Sequence, residues 1–430
     1  MGNIMRLTKS CFIVLAVIPF CSSKSGFIKD QGMNVVFPPL VKRHGSGIPE
    51  GHLRPLGHQR SPDGQVEQEM MLTPQEFYDM HVHRGEPVVF RKAIMDIPAL
   101  TKWGQDDEDK YLNDKYGDLD VLVTVKKEVF KKGPKKMKLS QFLSDYMYEN
   151  WYLSTTAPQQ MMQELVLPKC LQCGTFRKYL QESELWMSSG GTTSMLHYHA
   201  DHNLHCVVTG RKDFILIHPE HKETFEMVEH PAHSGHGYSK IDMDMVNVFK
   251  HPEITQVPWT YSTLKPGDCI YVPAGHLHQV RSYGRSISYT ILWAPVPQFS
   301  ASDCEGKPDR DIPLSEVTFT WAYFAGDKQL SNARLNSESL RHHLLALLRM
   351  DSALSYERWA AFYEEVMAQM DDFPDADEVF QILNSSDKSY LTRKELLEME
   401  KSKLQKVANI LNLPQGSSTI QEEPRPRDEL

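Results

Sequence analysis

Between Glu184 and Ala294 the chain is a series of short apolar runs broken by Gly and Pro: LWMSSGGTTS, MLHYH, NLHCVVTG, KDFILIHP, STLKPGDCIYVP, HLHQV and SISYTILWAP. Runs of this length and spacing read as strands, and so many in succession predict an all-β sandwich or barrel. One longer stretch interrupts them, HPAHSGHGYSKIDMDMV, from His230 to Val246. It reads as a surface insertion. Its His230, His233 and His236 are set aside as ligands because a flexible loop does not preorganise a metal site.

The flanks differ from this core. Residues 24–68 are rich in Gly, Pro, His and charge, show no sustained period, and read as an extended leader. Order is expected from LTPQEFYDMHVHRGEPVVFRKAI, where Thr73 can cap a helix with Glu76 and EPVVFRKAI has the pattern of a buried strand. A strand over Asp120–Val125 and a helix over Leu139–Trp151 follow. From about Ser315 apolar residues recur at three and four, as in LRHHLLALLRM and SYERWAAFYEEVMAQM. The chain of 430 residues, 40% of them hydrophobic, has material for more than one core. The expected division is a β-rich domain over 69–300, a helical module over 315–413 and a polar, disordered tail over 414–430.

At the N-terminus Arg6 and Lys9 precede an apolar run, CFIVLAVIPFC, and small residues, the pattern of a signal peptide over 1–23 that is too short to span a bilayer. MGNIMR opens like a myristoylation site, but Arg6 stands where Ser or Thr is needed. The chain ends in Arg427-Asp428-Glu429-Leu430, which resembles the KDEL-type retrieval address. The expected location is the endoplasmic-reticulum lumen, with the retrieval receptor as one partner. No transmembrane segment is expected. Of seven cysteines, Cys11 and Cys21 fall in the signal region, leaving an odd number, so at least one is unpaired or bonds between chains. Cys170 and Cys173 form CLQC, read as a structural bridge or two free thiols, since no βαβ unit surrounds it to make a redox pair. A net charge of -9 argues against a nucleic-acid partner, and the basic run Lys126–Lys138 reads as a solvated hairpin tip.

In a strand, residues two apart share a face, so His197 and His199 of MLHYHADHN project together, with Asp201 if the strand runs on. In VPAGHLHQV, His276 and His278 alternate in the same way. Two close ligands and one remote one make a facial triad with positions left open for substrate and oxygen, whereas spacing alone equally suits core or surface histidines.

The stretches GTTSMLHYHADHNLHCVVTGRKDFILIHP and GDCIYVPAGHLHQV resemble the Jumonji-C (JmjC) family of iron- and 2-oxoglutarate-dependent oxygenases, nearest to its small protein-hydroxylase branch; the likeness covers roughly Leu72 to Pro297. The resemblance implies a mainly β fold with some α: a double-stranded β-helix (jelly-roll, cupin) core, an N-terminal α/β segment and a separate all-α module. It also implies Fe(II) and 2-oxoglutarate as cofactors. The family pattern has HxD or HxE, Asn six residues after the first His, Gly-x-Lys ending fifteen after it, and a distant His five past a Pro; here these fall on His197, Asn203, Lys212 and His278 after Pro273. Carried over, His197 and His278 bind metal, with His199 expected as the third ligand at the position between them, Lys212 pairs with the distal carboxylate of 2-oxoglutarate, Ser194 donates a hydrogen bond to it, Asn203 lines the pocket and Tyr152 contributes.

The chain departs from the family at His199, which occupies the carboxylate position. Sliding the motif to His199-Ala200-Asp201 keeps the face but spoils the spacing to Asn203 and Lys212. A third imidazole leaves the site one unit more positive than a carboxylate would, and suits Fe, Cu or Zn. Ala274, Gly275 and His276 stand where the family has an aromatic before the last ligand, a second departure.

In the helical module LNSSDKSYLTRKELLEM resembles an EF-hand loop, with LSYERWAAF as a degenerate partner. Its oxygen ligands would be Asn384, Ser386 and Glu395, but Lys388 replaces an acid and Ser389 the turn glycine, so calcium binding is expected to be weak. Asn384-Ser385-Ser386 is also a glycosylation sequon. Two functions remain open: a lumenal oxygenase hydroxylating a side chain of a secretory-pathway protein or peptide, and a JmjC fold turned binding or scaffold protein, with zinc as an alternative metal. Calcium-responsive regulation is a third.

Overall fold

The structure is a computed structural model. It describes residues 34–41, 45, 47–104, 108–125, 134–149, 151–229, 236–296, 298–305, 310–324, 327–330, 335, 337–348, 351–367, 373–384 and 388–411. The expected signal peptide, most of the basic run, Ser386 and the retrieval tail lie outside the described residues. Among the described residues no helix is long and apolar enough to cross a membrane.

The N-terminal part contributes β1 (Gly64–Gln65), β2 (Glu67–Glu69), α1 (Pro74–Phe77), β3 (Val88–Phe90), α2 (Pro98–Lys102), α3 (Glu108–Tyr116), β4 (Asp120–Val125), β5 (Lys135–Lys138), α4 (Leu139–Asp145) and β6 (Trp151–Thr156). The β-rich region supplies β7 (Val166–Leu167), β8 (Leu180–Ser188), β9 (Thr192–Thr193), β10 (His197–Tyr198), β11 (His202–Ile217), β12 (Met227–Glu229), β13 (Gly237–Ser239), β14 (Thr260–Leu264), β15 (Cys269–Val272) and β16 (Leu277–Trp293). After β17 (Ile312–Pro313) and the hairpin β18 (Trp321–Phe324) and β19 (Asp327–Leu330) comes the helical module.

The long antiparallel pair β11 and β16 is the spine of one large mixed sheet, whose path runs β2-β3-β15-β11-β16-β8-β6-β4-β5. The first half of β11 pairs with β15 and the second half with β14, so the strand passes from one side of the barrel to the other. A bulge between Val207 and Arg211 makes the passage. Gly210 turns there at φ 79°, and a Cβ would stand 2.6 Å from the Arg285 carbonyl oxygen, so only glycine fits.

The bulge also resets which side chains face inward. Before it Leu204, Cys206 and Val208 join the outer core under the N-terminal helices, while Val207 faces a smaller inner core. After it Phe214 and Leu216 face the inner core, and Ile215 and Ile217 face a third cluster around Trp259. Alternation then places Asn203, His205 and Lys212 on the inner face. This is the expected jelly-roll core with its α/β extension.

Thr73 caps α1 as expected: Glu76 N–H donates to Thr73 Oγ1 at 3.3 Å and Thr73 N–H donates to Glu76 Oε2 at 3.0 Å. β4 and β5 form the arms of the expected hairpin. Three expectations are corrected. The segment expected as leader to residue 68 is bound to the barrel from about Gly51: Gln59 is buried and donates to the Gly51 and Arg54 carbonyls, and β1 and β2 pair in parallel with β14 and β3. The helix expected to reach Trp151 stops at Asp145, because Trp151 is taken into β6 against Val125 of β4. The stretch expected as surface loop contains β13, which pairs with β10 and β12 inside the sheet.

The cysteines pair over long distances, Cys173 with Cys304 and Cys206 with Cys269. CLQC is therefore not a bridge of its own. Cys170 is the free, buried thiol, and burial pushes its ionisation up, which makes it inert.

The module packs α5 (Ser337–Leu348), α6 (Tyr356–Met367), α7 (Ala376–Leu383), α8 (Arg393–Glu398) and α9 (Lys401–Leu411) around Trp359, Tyr363 and Phe380. Short strands β20 (Ala353–Ser355), between α5 and α6, and β21 (Tyr390–Thr392), between α7 and α8, pair antiparallel with Leu354 opposite Leu391. Asn384 is buried and its side-chain amide donates to the Lys388 carbonyl, so the nitrogen that a glycan would take is turned inward. The Glu395 carboxylate accepts from Thr392 N–H at 2.8 Å and from Thr392 Oγ1 at 2.7 Å as a helix cap, and it pairs with Lys388 at 3.3 Å. Both arrangements run against the glycan and the calcium expected at these residues.

Candidate metal centre

β10 is only two residues long, yet its place is fixed on both sides: His197 lies opposite His278 of β16 and opposite Tyr238 of β13. His199 follows beyond the strand end, where its carbonyl accepts from Gly275 N–H at 2.8 Å. That bond ties the second expected ligand to the turn that delivers the third. His197, His199 and His278 each bring a ring nitrogen to one place, all within 4.8 Å of one another. The ring centroids of His197 and His278 are 4.1 Å apart, and that of His199 is 5.1 and 5.3 Å from theirs.

Hydrogen bonds select the tautomers. His197 Nδ1 is 2.8 Å from the Met195 carbonyl and His278 Nδ1 is 3.0 Å from the His276 carbonyl. A carbonyl only accepts, so each Nδ1 carries the proton and each Nε2 keeps a lone pair for a metal. Burial lowers the pKa of His197, and burial with the neighbouring His197 and His199 lowers that of His278 further, so both rings are neutral and ready to ligate. The donor set fits a divalent transition metal.

The rival register fails. β10 ends at Tyr198 and the chain bends at Ala200 and Asp201, so Asp201 does not join the cluster. His202 is structural: its Nδ1 accepts from the Tyr271 hydroxyl at 2.8 Å and from Ala274 N–H at 3.2 Å, its ring stacks on Trp293, and burial holds its pKa down at about 3. The expected aromatic before the last ligand is replaced by this turn, with His276 buried beside His218.

Lys212 is 1% exposed on the inner face, and no hydrogen bond or ion pair joins its ammonium to another described side chain. Burial lowers its pKa to about 7. Asn203 Oδ1 and His205 Nε2 are likewise buried without a hydrogen bond. His205 Nδ1 is 2.9 Å from Thr290 Oγ1, which accepts from Trp186 Nε1–H at 2.9 Å. Tyr152 lies against Trp186 with ring centroids 5.7 Å apart, where burial and Glu184 raise its pKa. Buried polar atoms left this way are costly unless a ligand satisfies them. Ser194 stands at the edge of the group: its Oγ accepts from Val280 N–H at 2.8 Å, which leaves its own proton to donate.

Two residues of the site escaped the sequence reading. His205 continues the alternation from Asn203, and that period was the available signal. His236, set aside with the loop, has its ring 4.4 Å from that of His199. His230 and His233 lie outside the described residues.

A family profile described as a cupin-like domain matches residues 74–299. Lysine-specific demethylase JMJ30 of Arabidopsis thaliana is 26% identical over 247 residues, 55% of this chain and 56% of its own. Lysine-specific demethylase 8 of Xenopus tropicalis is 23% identical over 230 residues, 51% of each chain. The tRNA wybutosine-synthesizing protein 5 of Gallus gallus is 23% identical over 257 residues, 53% of this chain and 76% of its own. The chain spans about half or less of the length of the first of the curated relatives it matches.

Proposed function

That the chain belongs to the cupin-like Jumonji-C family of oxygenases is the premise from which we propose a 2-oxoglutarate-dependent oxygenase built on a three-histidine metal centre. We infer that it hydroxylates a side chain of a protein or peptide in the secretory pathway. The observation that carries the reading is the convergence of His197, His199 and His278 on one point, with the unanswered Lys212 on the same inner face. Iron(II), held by Nε2 of His197 and His278 and a ring nitrogen of His199, would supply with 2-oxoglutarate and dioxygen the oxidation of a substrate C–H bond.

The chain's own residues do the positioning. Lys212 is neutral or half-charged when alone and takes up a proton when a carboxylate arrives, so the anion is bound by a full ammonium on the buried inner face. His205 Nδ1 pairs with Thr290, while His205 Nε2 and Asn203 Oδ1 on the same inner face are left without hydrogen bonds. The carbonyls of Met195 and His276 hold two ligand rings in orientation.

The lumenal location is supported by two disulfides, which persist in an oxidising compartment, together with the terminal signals. The paired helix–strand–helix units are read as an EF-hand-like scaffold surface without calcium, since Glu395 caps a helix and pairs with Lys388. His199 favours a second reading, a fold that binds metal and cosubstrate without turnover, because imidazole does not offset the metal's charge. Anaerobic reconstitution with iron(II), followed by metal analysis, 2-oxoglutarate binding and its decarboxylation, separates the two. Turnover in the native chain that is lost in His199→Ala supports the oxygenase; turnover only in His199→Asp supports the scaffold.

A further inference from the structure

Away from the three histidines, a second group of donors meets at the edge of the sheet. Glu67 and Glu69 lie two apart on β2, so their carboxylates share a face, while Gln68 between them turns away to Gln65 and Arg91. Facing them is His81, in the π-helical turn Tyr78–Val82 that follows α1. Such widened turns recur at functional sites. One donor atom from each of Glu67, Glu69 and His81 lies within 4.8 Å of the others.

His81 is 1% exposed, and neither of its ring nitrogens has a hydrogen bond. Glu69 Oε2 is also buried without one, although it stands 3.4 Å from His81 Nε2. A fully buried imidazole aimed at two carboxylates, with its protons and lone pairs unmet, is an energetically poor arrangement for a bare protein. A cation would satisfy it. Two ligands each about 2.0–2.1 Å from a tetrahedral zinc stand roughly 3.3–3.4 Å apart, and this is the separation of His81 Nε2 and Glu69 Oε2. Glu67 is exposed, so it can swing in as the third ligand and water can complete the shell.

We propose that Glu67, Glu69 and His81 form a second metal site, taking a divalent transition-metal cation such as zinc and fastening the edge strand β2 to the turn after α1. It is a structural site. The donors come from a strand edge and a helical turn apart from the three histidines, and the proposal does not depend on what those histidines do.

Zinc alone is the probe. Chelator-stripped full-length protein carrying His197→Ala and His278→Ala is titrated with zinc against a chromophoric competitor. About one equivalent is expected to bind and to raise the melting temperature. Adding Glu67→Gln, an exposed and fold-neutral change, or Glu69→Gln should weaken that equivalent at least tenfold. On the otherwise native chain the same single changes should remove one equivalent from the total, which keeps the test decisive if the double variant folds poorly. No equivalent attributable to this group, or zinc binding unmoved by both substitutions, overturns the site and leaves an ion pair between His81 and Glu69.

Discussion

Lys212 places an ammonium in the barrel with no described side chain to answer it, and its titration gives the site a pH signature. Its folded value is about 7, against about 10.4 in an unfolded chain. As pH falls from about 10 to about 7 the unfolded chain takes up this proton first, so the ligand-free protein loses stability over that window and no more below it. Lys212→Met is therefore expected to melt higher than the native chain at pH 7–8 while binding no 2-oxoglutarate. In the native chain, affinity for 2-oxoglutarate should weaken about tenfold per pH unit above about 7, measured calorimetrically; a flat profile to pH 9 would count against Lys212 as the anchor. The grouping of His197, His199 and His278 follows from the alternation in the sequence, and Lys212 was singled out by its spacing in the family pattern. His236 was not, since it reaches His199 across β13, from a segment whose own pattern says only that it is polar.

At the scale of elements, one buried carboxylate fastens α2, α3 and the turn before β7. Glu164 accepts from Trp103 Nε1–H at 2.7 Å, from Lys102 at 2.9 Å, from Lys115 at 2.8 Å and from the Tyr111 hydroxyl. Burial alone would raise its pKa, but these bonds outweigh burial and hold it at about 2. The stability they supply is fully present above the unfolded carboxylate's pKa, about 4.3, and is lost as pH falls through about 2. Because the two lysines are 45% and 41% exposed, water screens their share, and the Trp103 and Tyr111 bonds carry more of it. Glu164→Gln should cost about 2–4 kcal/mol and lower the melting temperature by roughly 5–10 °C near neutral pH, with the difference shrinking toward pH 2. The strands of the core and the Thr73 cap could be read from the chain because their signals are local. β1, β2 and the disulfides could not, since each is made by a partner far along the sequence.

For the whole molecule, the change from strand spacing to helical spacing in the sequence is matched by long strands up to Trp293 and by helices from Ser337 to Leu411. The expected lumenal location is tested at the end of the chain. Removing Asp428 to Leu430 is expected to shift the protein from cells to medium, scored by blotting both fractions; equal retention would reject the lumenal location. The bulge at Gly210 bears on the history of such a molecule. Lys212 faces inward and Asp213 outward only because one strand gains a residue there on its partner. Loss of a single residue at that point would exchange them, giving the inner face an anion in place of a cation while β16 kept its place. The sign of charge this barrel turns inward is thus stored as an odd or even count, exposed to insertion and deletion more than to substitution, and a gap aligned here changes that charge in a way residue identities alone would miss.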